Sequence, residues 1–228
     1  LGGSIANAFR VETDGASYFL KFGDADVART FPGENAGLNA LNDAESPLRV
    51  PSVMATAAPT DARPGFLLME WINAGHKARR FWETLGDGLA QLHRTTGDEF
   101  GFADDNFIGR LPQSNAWMTN WATFFREQRL EPQVRMARER DRWRAEWDRP
   151  LDRLYRRLAE ILPADPPPSL VHGDLWNGNL MVDSLGTPTL IDPAAYYGHR
   201  EVDLAMTELF GGFDAPFYDA YRAAWPLA

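Results

Sequence analysis

The spacing of apolar residues changes about a third of the way along the chain, and this change limits the chain to a fold with two different parts. Before that point, apolar and β-branched residues form short runs between turn residues, which is typical of strands. After it, Phe81, Leu85 and Leu89 recur at the spacing of one helix face. We therefore predict an α+β fold with a β-rich lobe, residues 1–73, and a mainly helical lobe, residues 74–228.

The first lobe is predicted to contain four strands and one helix. Asp14-Gly15 is a turn pair between two strands, and Ser46-Pro47 ends the helix. The predicted strands are 8–13, 17–22, 49–56 and 65–72, and the predicted helix is 33–42.

The second lobe is predicted to be helical up to a proline-rich break at 163–168. A loop, 101–115, precedes an arginine-rich helical region, 117–162. Between residues 126 and 157 there are eleven arginines and seven acids, which is typical of a solvated helical face. A short buried strand is expected to follow the break.

The overall charge argues against general binding to nucleic acid. The formal net charge is −9, whereas nucleic acids are held mainly by Lys and Arg. The chain has no cysteine, which excludes disulfides and Cys-type zinc sites and fits a cytoplasmic location. Its apolar runs are too short to span a membrane. Because the chain starts at Leu1, almost inside a motif, we also expect further residues upstream.

A polar segment, HGDLWNGN at 172–179, follows the apolar pair Leu170 and Val171. Two short strands after it, joined by a turn at 184–186, predict a hairpin that returns the chain to its starting point. Asp192 follows this hairpin and is therefore expected beside Asn179. Carboxylate and amide oxygens are ligands that Mg²⁺ accepts. Asp174 is left to face a substrate hydroxyl.

The spacing of Asp174, Asn179 and Asp192 resembles that of the catalytic loop and metal-binding residues in protein-kinase-like phosphotransferases. The HGD form is similar to the aminoglycoside, choline and fructosamine kinase branch. Within it, HGDLWNGN, DPAAYYGHREVDLAM, ELFGGF and DNFIGRLPQSN resemble the fructosamine kinase (ketosamine 3-kinase) family, from Leu1 to about Trp225. The resemblance implies a bilobal protein-kinase-like fold, Asp174 as the catalytic base, and Asn179 and Asp192 as ligands of Mg²⁺.

The same resemblance implies an ATP site in the first lobe. Lys21, in the run YFLKF, is the expected phosphate contact, although an edge-strand lysine can also simply reach solvent. Glu34 is its expected partner on the helix, with Glu45 as the fallback. The expected glycine loop contains Gly2, Gly3 and Ser4, although an ordinary Gly-Gly turn would have the same sequence pattern. The expected hinge beside the adenine contains Met69, Glu70, Trp71 and Ile72.

The implied acceptors are ketosamines, either free or on protein lysines. Candidate substrate contacts are Trp176, His199, Arg200, Asn106, Gln113 and Asn115, although each of these can instead serve the core or a loop. Asp203 is expected to cap a helix and tie it to the catalytic loop. Two alternatives remain: a kinase of the aminoglycoside or choline type, and a nucleotide-binding pseudokinase. The family pattern continues beyond residue 228, so further C-terminal helices are also expected.

Overall fold

The computed structural model describes residues 6–227 and has the predicted α+β organisation. A four-stranded antiparallel sheet comes first, with strand order β1-β2-β4-β3. The strands are β1 Asn7–Glu12, β2 Ser17–Gly23, β3 Val53–Ala57 and β4 Gly65–Glu70. Two helices connect β2 to β3: α1 Ala25–Ala28, which was not predicted, and α2 Phe31–Asp43.

Strand β2 lies inside the sheet, which explains how a lysine comes to be buried. Lys21 pairs with Ala8 on β1 and with Leu67 on β4. Leu67 is fully buried, and Lys21 itself is 8% exposed. Helix α2 packs against the rest of the protein through a face that contains Leu38 and Leu41, both buried. Strand β2 and helix α2 therefore place Lys21 and Glu34 next to each other at one edge of the first lobe.

Helices dominate after β4, as expected. They are α3 Phe81–His93, α4 Trp121–Phe124, α5 Glu131–Glu139, α6 Asp148–Ile161, α7 Glu201–Leu209 and α8 Ala215–Ala224. A π-helical turn, Phe125–Leu130, joins α4 to α5, and the predicted helical region is interrupted between α5 and α6. Across residues 6–227, none of the helices combines the length and the apolar character that crossing a bilayer requires.

Three short antiparallel pairs complete the second lobe. Two of them are β7 Ser169–Val171 with β10 Tyr196–Gly198, and β8 Leu180–Val182 with β9 Pro188–Leu190. The third is β5 Asn106–Ile108 with β6 Leu111–Gln113, in a stretch that the sequence analysis treated as a loop. Strand β6 contains Pro112 and Gln113 and lacks an apolar run such as Leu180–Val182 in β8, so this hairpin had no clear strand signal in the sequence.

The two lobes are joined by backbone hydrogen bonds on the side of the hinge. Arg49, which precedes β3, accepts a hydrogen bond from Leu190 N–H at 2.8 Å. The Arg49 N–H also donates to Pro188 O, the first residue of β9, at 3.3 Å. One apolar cluster runs through both lobes and includes Leu38, Leu89 and Leu190. The exact division at residue 73 stays a prediction.

Candidate active site

A cavity of about 400 Å³ lies between the sheet and the loop that follows β7. Its lining combines acidic, basic and amide groups that are distant in the sequence. It contains Lys21, Glu34, Asp174, Asn179 and Asp192. These are the residues expected from the sequence as the phosphate contact, its partner, the catalytic base and the two metal ligands, and the structure brings all five together.

Lys21 bridges the two lobes. Its ammonium nitrogen lies 2.7 Å from Glu34 Oε1 on α2 and 2.6 Å from Asp192 Oδ1 after β9. Burial alone would lower the pKa of Lys21, but the two carboxylates outweigh burial and raise the pKa above its ordinary value. Lys21 is therefore a fixed positive charge at the edge of the cavity.

Glu34 is more deeply enclosed than Asp192, since its side chain is 13% exposed against 32% for Asp192. Burial raises the pKa of Glu34, and the nearby charge of Lys21 opposes this rise. The expected pairing of Lys21 with Glu34 is present, whereas the fallback Glu45 does not line the cavity. Helix α2 begins at Phe31, slightly earlier than predicted, so Glu34 lies in its first turn.

Asp174 is oriented by Asn179. The Asn179 amide nitrogen donates to Asp174 Oδ2 at 2.9 Å and to Asp174 O at 2.8 Å. These two bonds close the loop 172–179, which we call the catalytic loop. Burial raises the pKa of Asp174 to about 6, with the charges of Asp203 and Asp192 adding to the rise and the bond from Asn179 opposing it. Such a carboxyl group is suited to accept a proton near neutral pH.

A buried carboxylate holds the other end of the catalytic loop. Asp203 on α7 accepts hydrogen bonds from His172 N–H at 2.7 Å and Gly173 N–H at 2.8 Å. Burial alone would raise the pKa of Asp203, but hydrogen bonds from His93 and the loop hold it below its ordinary value. The expected tie to the loop is therefore present. The expected helix cap is not, because Arg200 occupies the N-cap position and Asp203 lies in the first turn.

His93 is a supporting residue that the sequence analysis missed. It is fully buried and lies between Asp203 Oδ2, at 3.1 Å, and Tyr221 Oη, at 2.8 Å. A lone histidine at the end of an apolar helix carries no sequence signal for such a contact. Only the packing of α3 against α7 and α8 brings it there.

The donor set suits Mg²⁺. The amide nitrogen of Asn179 donates to Asp174, which leaves the amide oxygen as the atom that could face a cation. Asp192 Oδ1 accepts a hydrogen bond from Lys21. Among the described contacts, Asp192 Oδ2 has no partner and is therefore available to a cation. Mg²⁺ needs only one or two protein ligands beside phosphate oxygens and water. Within residues 6–227, no larger group of His, Asp or Glu converges.

The hinge residues lie at the end of β4 but do not line this cavity. Met69 and Ile72 are buried, and the Glu70 carboxylate accepts a hydrogen bond from Arg49. The Trp71 ring lies 6.1 Å from Phe19 between ring centres. Gly2, Gly3 and Ser4 lie outside the described residues. The adenine and glycine-loop roles therefore stay predictions.

Of the candidate substrate contacts, Trp176 alone lines the cavity. Its ring is 36% exposed and packs on Phe210, with ring centres 5.3 Å apart. Gly178 lies directly beneath the ring, since a Cβ there would be 2.3 Å from Trp176 Cζ2. Trp176 therefore presents an aromatic face two residues from Asp174.

The other five candidates do not line this cavity, and their side chains make contacts inside the protein, so their roles as substrate contacts stay predictions. Arg200 donates to Trp225 O at 2.9 Å and Pro226 O at 2.6 Å. His199 is 8% exposed beside Trp121, and burial lowers its pKa. Asn115 Oδ1 accepts from Arg129 at 2.8 Å. Polar residues in a loop cannot be assigned from sequence to substrate or to backbone.

The remaining two, Asn106 and Gln113, bind the chain just beyond Asp192. Asn106 donates to Ala195 O at 2.8 Å, and Gln113 donates to Ala194 O at 3.1 Å. They do not line the cavity, but their neighbour Phe107 does. The segment 106–113 therefore reaches the cavity through Phe107, and the substrate roles of Asn106 and Gln113 stay predictions.

The comparisons with known proteins agree with this geometry. The model of the fructosamine kinase family matches residues 1–228. The protein named "Probable ketoamine kinase" in Lactiplantibacillus plantarum is 41% identical, over 100% of this chain and 79% of its own length. "Protein-ribulosamine 3-kinase, chloroplastic" of Arabidopsis thaliana is 36% identical, over 99% of this chain and 68% of its own length.

Solved structures give the same result. The crystal structure of "Putative fructosamine-3-kinase" from Haemophilus somnus 129PT has a TM-score of 0.88 and 28% identity, covering 100% of this chain and 75% of the other. An aminoglycoside-3'-phosphotransferase of type VIII has a TM-score of 0.55 and 22% identity, covering 100% of this chain and 85% of the other, which shows the fold alone. The predicted protein-kinase-like fold is confirmed. The chain belongs to the fructosamine kinase family.

Proposed function

We propose that this protein transfers the terminal phosphoryl group of ATP to a sugar hydroxyl of a ketosamine. The observation that carries the proposal is the contact of Lys21 with both Glu34 and Asp192 in the cavity that also contains Asp174. Phosphoryl transfer depends mainly on positioning and on compensation of phosphate charge. The site provides a fixed ammonium, an oriented carboxylate and two oxygen ligands.

On the nucleotide side, Lys21 neutralises phosphate charge and Glu34 holds it in place. ATP carries about four negative charges, so a protein of net charge −9 needs local cations to bind it. Asn179 and Asp192 are the proposed ligands of Mg²⁺, which supplies further charge compensation at the phosphates when bound. The adenine is proposed to lie against the hinge, 69–72, between lobes 1–73 and 74–228.

Asp174 is the proposed general base. The acceptor oxygen attacks the terminal phosphorus, the bond from that phosphorus to ADP breaks, and the hydroxyl proton passes to Asp174. Because burial raises the pKa of Asp174 to about 6 and no further, the ionised carboxylate is the main form at pH 7. Asn179 holds the carboxylate through Oδ2 during this step.

On the acceptor side, Trp176 is proposed to contact the sugar. The Trp176 ring and Phe210 form an exposed aromatic surface beside Asp174. Aromatic faces suit the apolar faces of sugars, whose hydroxyls stay free to reach polar groups. The surface is open to solvent, since Phe210 is 57% exposed. We therefore propose both free ketosamines and ketosamines on protein lysines as acceptors.

Two other functions have weaker support. The aminoglycoside phosphotransferase likeness extends to the fold only, at 22% identity. A pseudokinase would be expected to lack one of the five charged or amide groups, and all five are present and in the same cavity.

An acceptor screen tests the proposal. ADP formation is measured in a coupled assay with ribulosyl-lysine, fructosyl-lysine, choline or kanamycin, in the presence of Mg²⁺. Turnover with one or both ketosamines and none with choline or kanamycin is expected. Turnover confined to choline or kanamycin would reject the ketosamine assignment. Asp174→Asn is the control for contaminating kinases, because it should abolish the signal.

A further inference from the structure

Asn106 and Gln113 form one cross-strand pair at the base of the β5–β6 hairpin. Side chains of a directly opposed pair lie on the same face. Both are buried, at 2% and 6% exposure. Gln113 Nε2 donates to Asn106 Oδ1 at 2.8 Å, so the two amides also bind each other. We call this pair the amide clamp.

The amide clamp holds two successive carbonyl groups just beyond Asp192. The bonds run from Gln113 to Ala194 O at 3.1 Å and from Asn106 to Ala195 O at 2.8 Å. Both alanines are buried, so their carbonyls have no ready replacement in solvent. Each carbonyl would lose a bond if the clamp were removed.

Asp192 needs support of this kind. Its φ is 54°, in the left-handed region that non-glycine residues avoid. Such a conformation persists only where neighbouring contacts fix it. On one side, Ile191 N–H donates to Asn179 O at 3.1 Å. On the other side, the clamp and a bond from Ala194 N–H to His172 O, at 2.9 Å, fix the chain.

The amide clamp also contacts the helix of Glu34. A Cβ added at Gly33 would lie 2.7 Å from Asn106 Cβ. A Cβ added at Gly37 would lie 3.2 Å from Pro193 Cγ and 3.3 Å from Ala195 Cβ. The two glycines are one helical turn apart, so α2 lies directly on the clamp and on the segment that the clamp holds.

We propose that Asn106 and Gln113 are positioning residues that fix Asp192 and Glu34 at the separation that Lys21 bridges. They touch no substrate; they set the relative placement of the metal ligand, the glutamate and the lysine. The inference rests on the proposed function, because it assumes that Asp192 holds Mg²⁺ at the nucleotide phosphates. Loss of the clamp should therefore reduce the effect of Mg²⁺ on nucleotide affinity in protein that is still folded.

The test measures the dissociation constant of ADP by calorimetry with and without Mg²⁺. The quantity compared between variants is the ratio of the constant without Mg²⁺ to the constant with Mg²⁺. Gln113→Met keeps the length of the side chain and removes its donor. The ratio is expected to fall about fivefold, the size of one or two lost buried hydrogen bonds. Gln91→Met, on the exposed face of α3, is the matched control and should keep the wild-type ratio.

A purely structural role predicts a different result. The melting temperature and the active fraction would fall in Gln113→Met, but the ratio for the folded protein would stay at the wild-type value, and this would overturn the proposal. If Gln113→Met does not fold, Gly33→Ala decides: alanine favours the helix but collides with Asn106. The same fall in the ratio is expected, whereas Gly15→Ala, which meets nothing within 4 Å, should change nothing.

The wild-type protein separates this inference from the proposed function. If Mg²⁺ strengthens ADP binding but no ketosamine is phosphorylated, the proposed function fails and the clamp is still judged by the ratio. If Mg²⁺ has no effect on ADP binding to the wild type, the clamp proposal is overturned.

Discussion

Replacing Lys21 by methionine tests the contact on which the active site depends. The substitution keeps the volume of the side chain and removes its charge, which leaves Glu34 and Asp192 without their partner. Breaking a buried ion pair from one side costs about 3 to 5 kcal/mol. Glu34 bears most of this cost, because its side chain is 13% exposed while that of Asp192 is 32% exposed and stays hydrated.

A second substitution should rescue the stability of Lys21→Met. Glu34→Gln added to Lys21→Met removes the isolated buried charge, so the double variant should recover about 2 to 3 kcal/mol of the lost unfolding free energy. Activity should not recover: kcat/KM should stay at least about 100-fold below wild type in both variants, because the phosphate contact is gone. Stability and catalysis are thereby separated.

The pH dependence of Lys21→Met has a defined sign. Burial raises the pKa of Glu34, and loss of Lys21 removes the main opposing charge. The native state then binds a proton that the unfolded state has released, so stability falls as pH rises through the raised pKa, by up to about 1.4 kcal/mol per pH unit. Acidification should therefore partly restore the stability of this variant.

Urea unfolding monitored by circular dichroism, from mildly acidic to mildly alkaline pH, measures these quantities. Lys77→Met replaces the other lysine of the chain, which is exposed over the Trp82 ring, and should cost less than about 1 kcal/mol. A Lys21→Met variant as stable as wild type, or a double variant no more stable than Lys21→Met, would refute the placement of an ionised Glu34 beside Lys21.

Three further predictions concern other parts of the site. Asp174→Asn should lower kcat by about 1000-fold while ADP affinity stays within about threefold, as measured by turnover and calorimetry. Trp176→Ala should raise the KM for the ketosamine about tenfold and leave the KM for ATP nearly unchanged; an equal rise in both would remove Trp176 from the acceptor site. Asp203→Ala should lower the unfolding free energy by about 3 kcal/mol above pH 4, since it leaves two loop N–H groups and Nε2 of His93 unpaired. Because the pKa of Asp203 is lowered, this contribution should be complete above about pH 4 and disappear as pH falls further, so a difference that persists in acid would contradict the assignment.

Elements with a clear period or a turn signal were predictable from the sequence. The strands predicted at 8–13 and 17–22 are observed as Asn7–Glu12 and Ser17–Gly23, and the helix predicted at 33–42 is observed as Phe31–Asp43. The hairpin β5–β6 was missed because β6, Leu111–Gln113, contains a proline and an amide in place of an apolar run, and its stability comes from contacts with α2 and with residues 194–195.

Some residues of the candidate site were predictable from the sequence and others were not. Asp174, Asn179 and Asp192 follow from local spacing, because one catalytic loop and one hairpin position all three. The contacts of His199 and of the three amide residues, Asn106, Gln113 and Asn115, do not follow from local spacing. A buried amide can bind a backbone carbonyl as well as a sugar hydroxyl, and only the tertiary structure decides which partner it has.

The backbone links on the hinge side limit how the cleft can open. Arg49 is bonded to Pro188 and Leu190 of β9, so the two lobes cannot slide past each other there without breaking both bonds. A rotation about Arg49 would open the cleft and keep both bonds. In such a rotation Lys21 and Glu34 move together, because both belong to the first lobe, and Lys21 separates from Asp192. We therefore expect Asp192 to be more exposed to water in an opened cleft, and its contact with Lys21 to form again when the cleft closes.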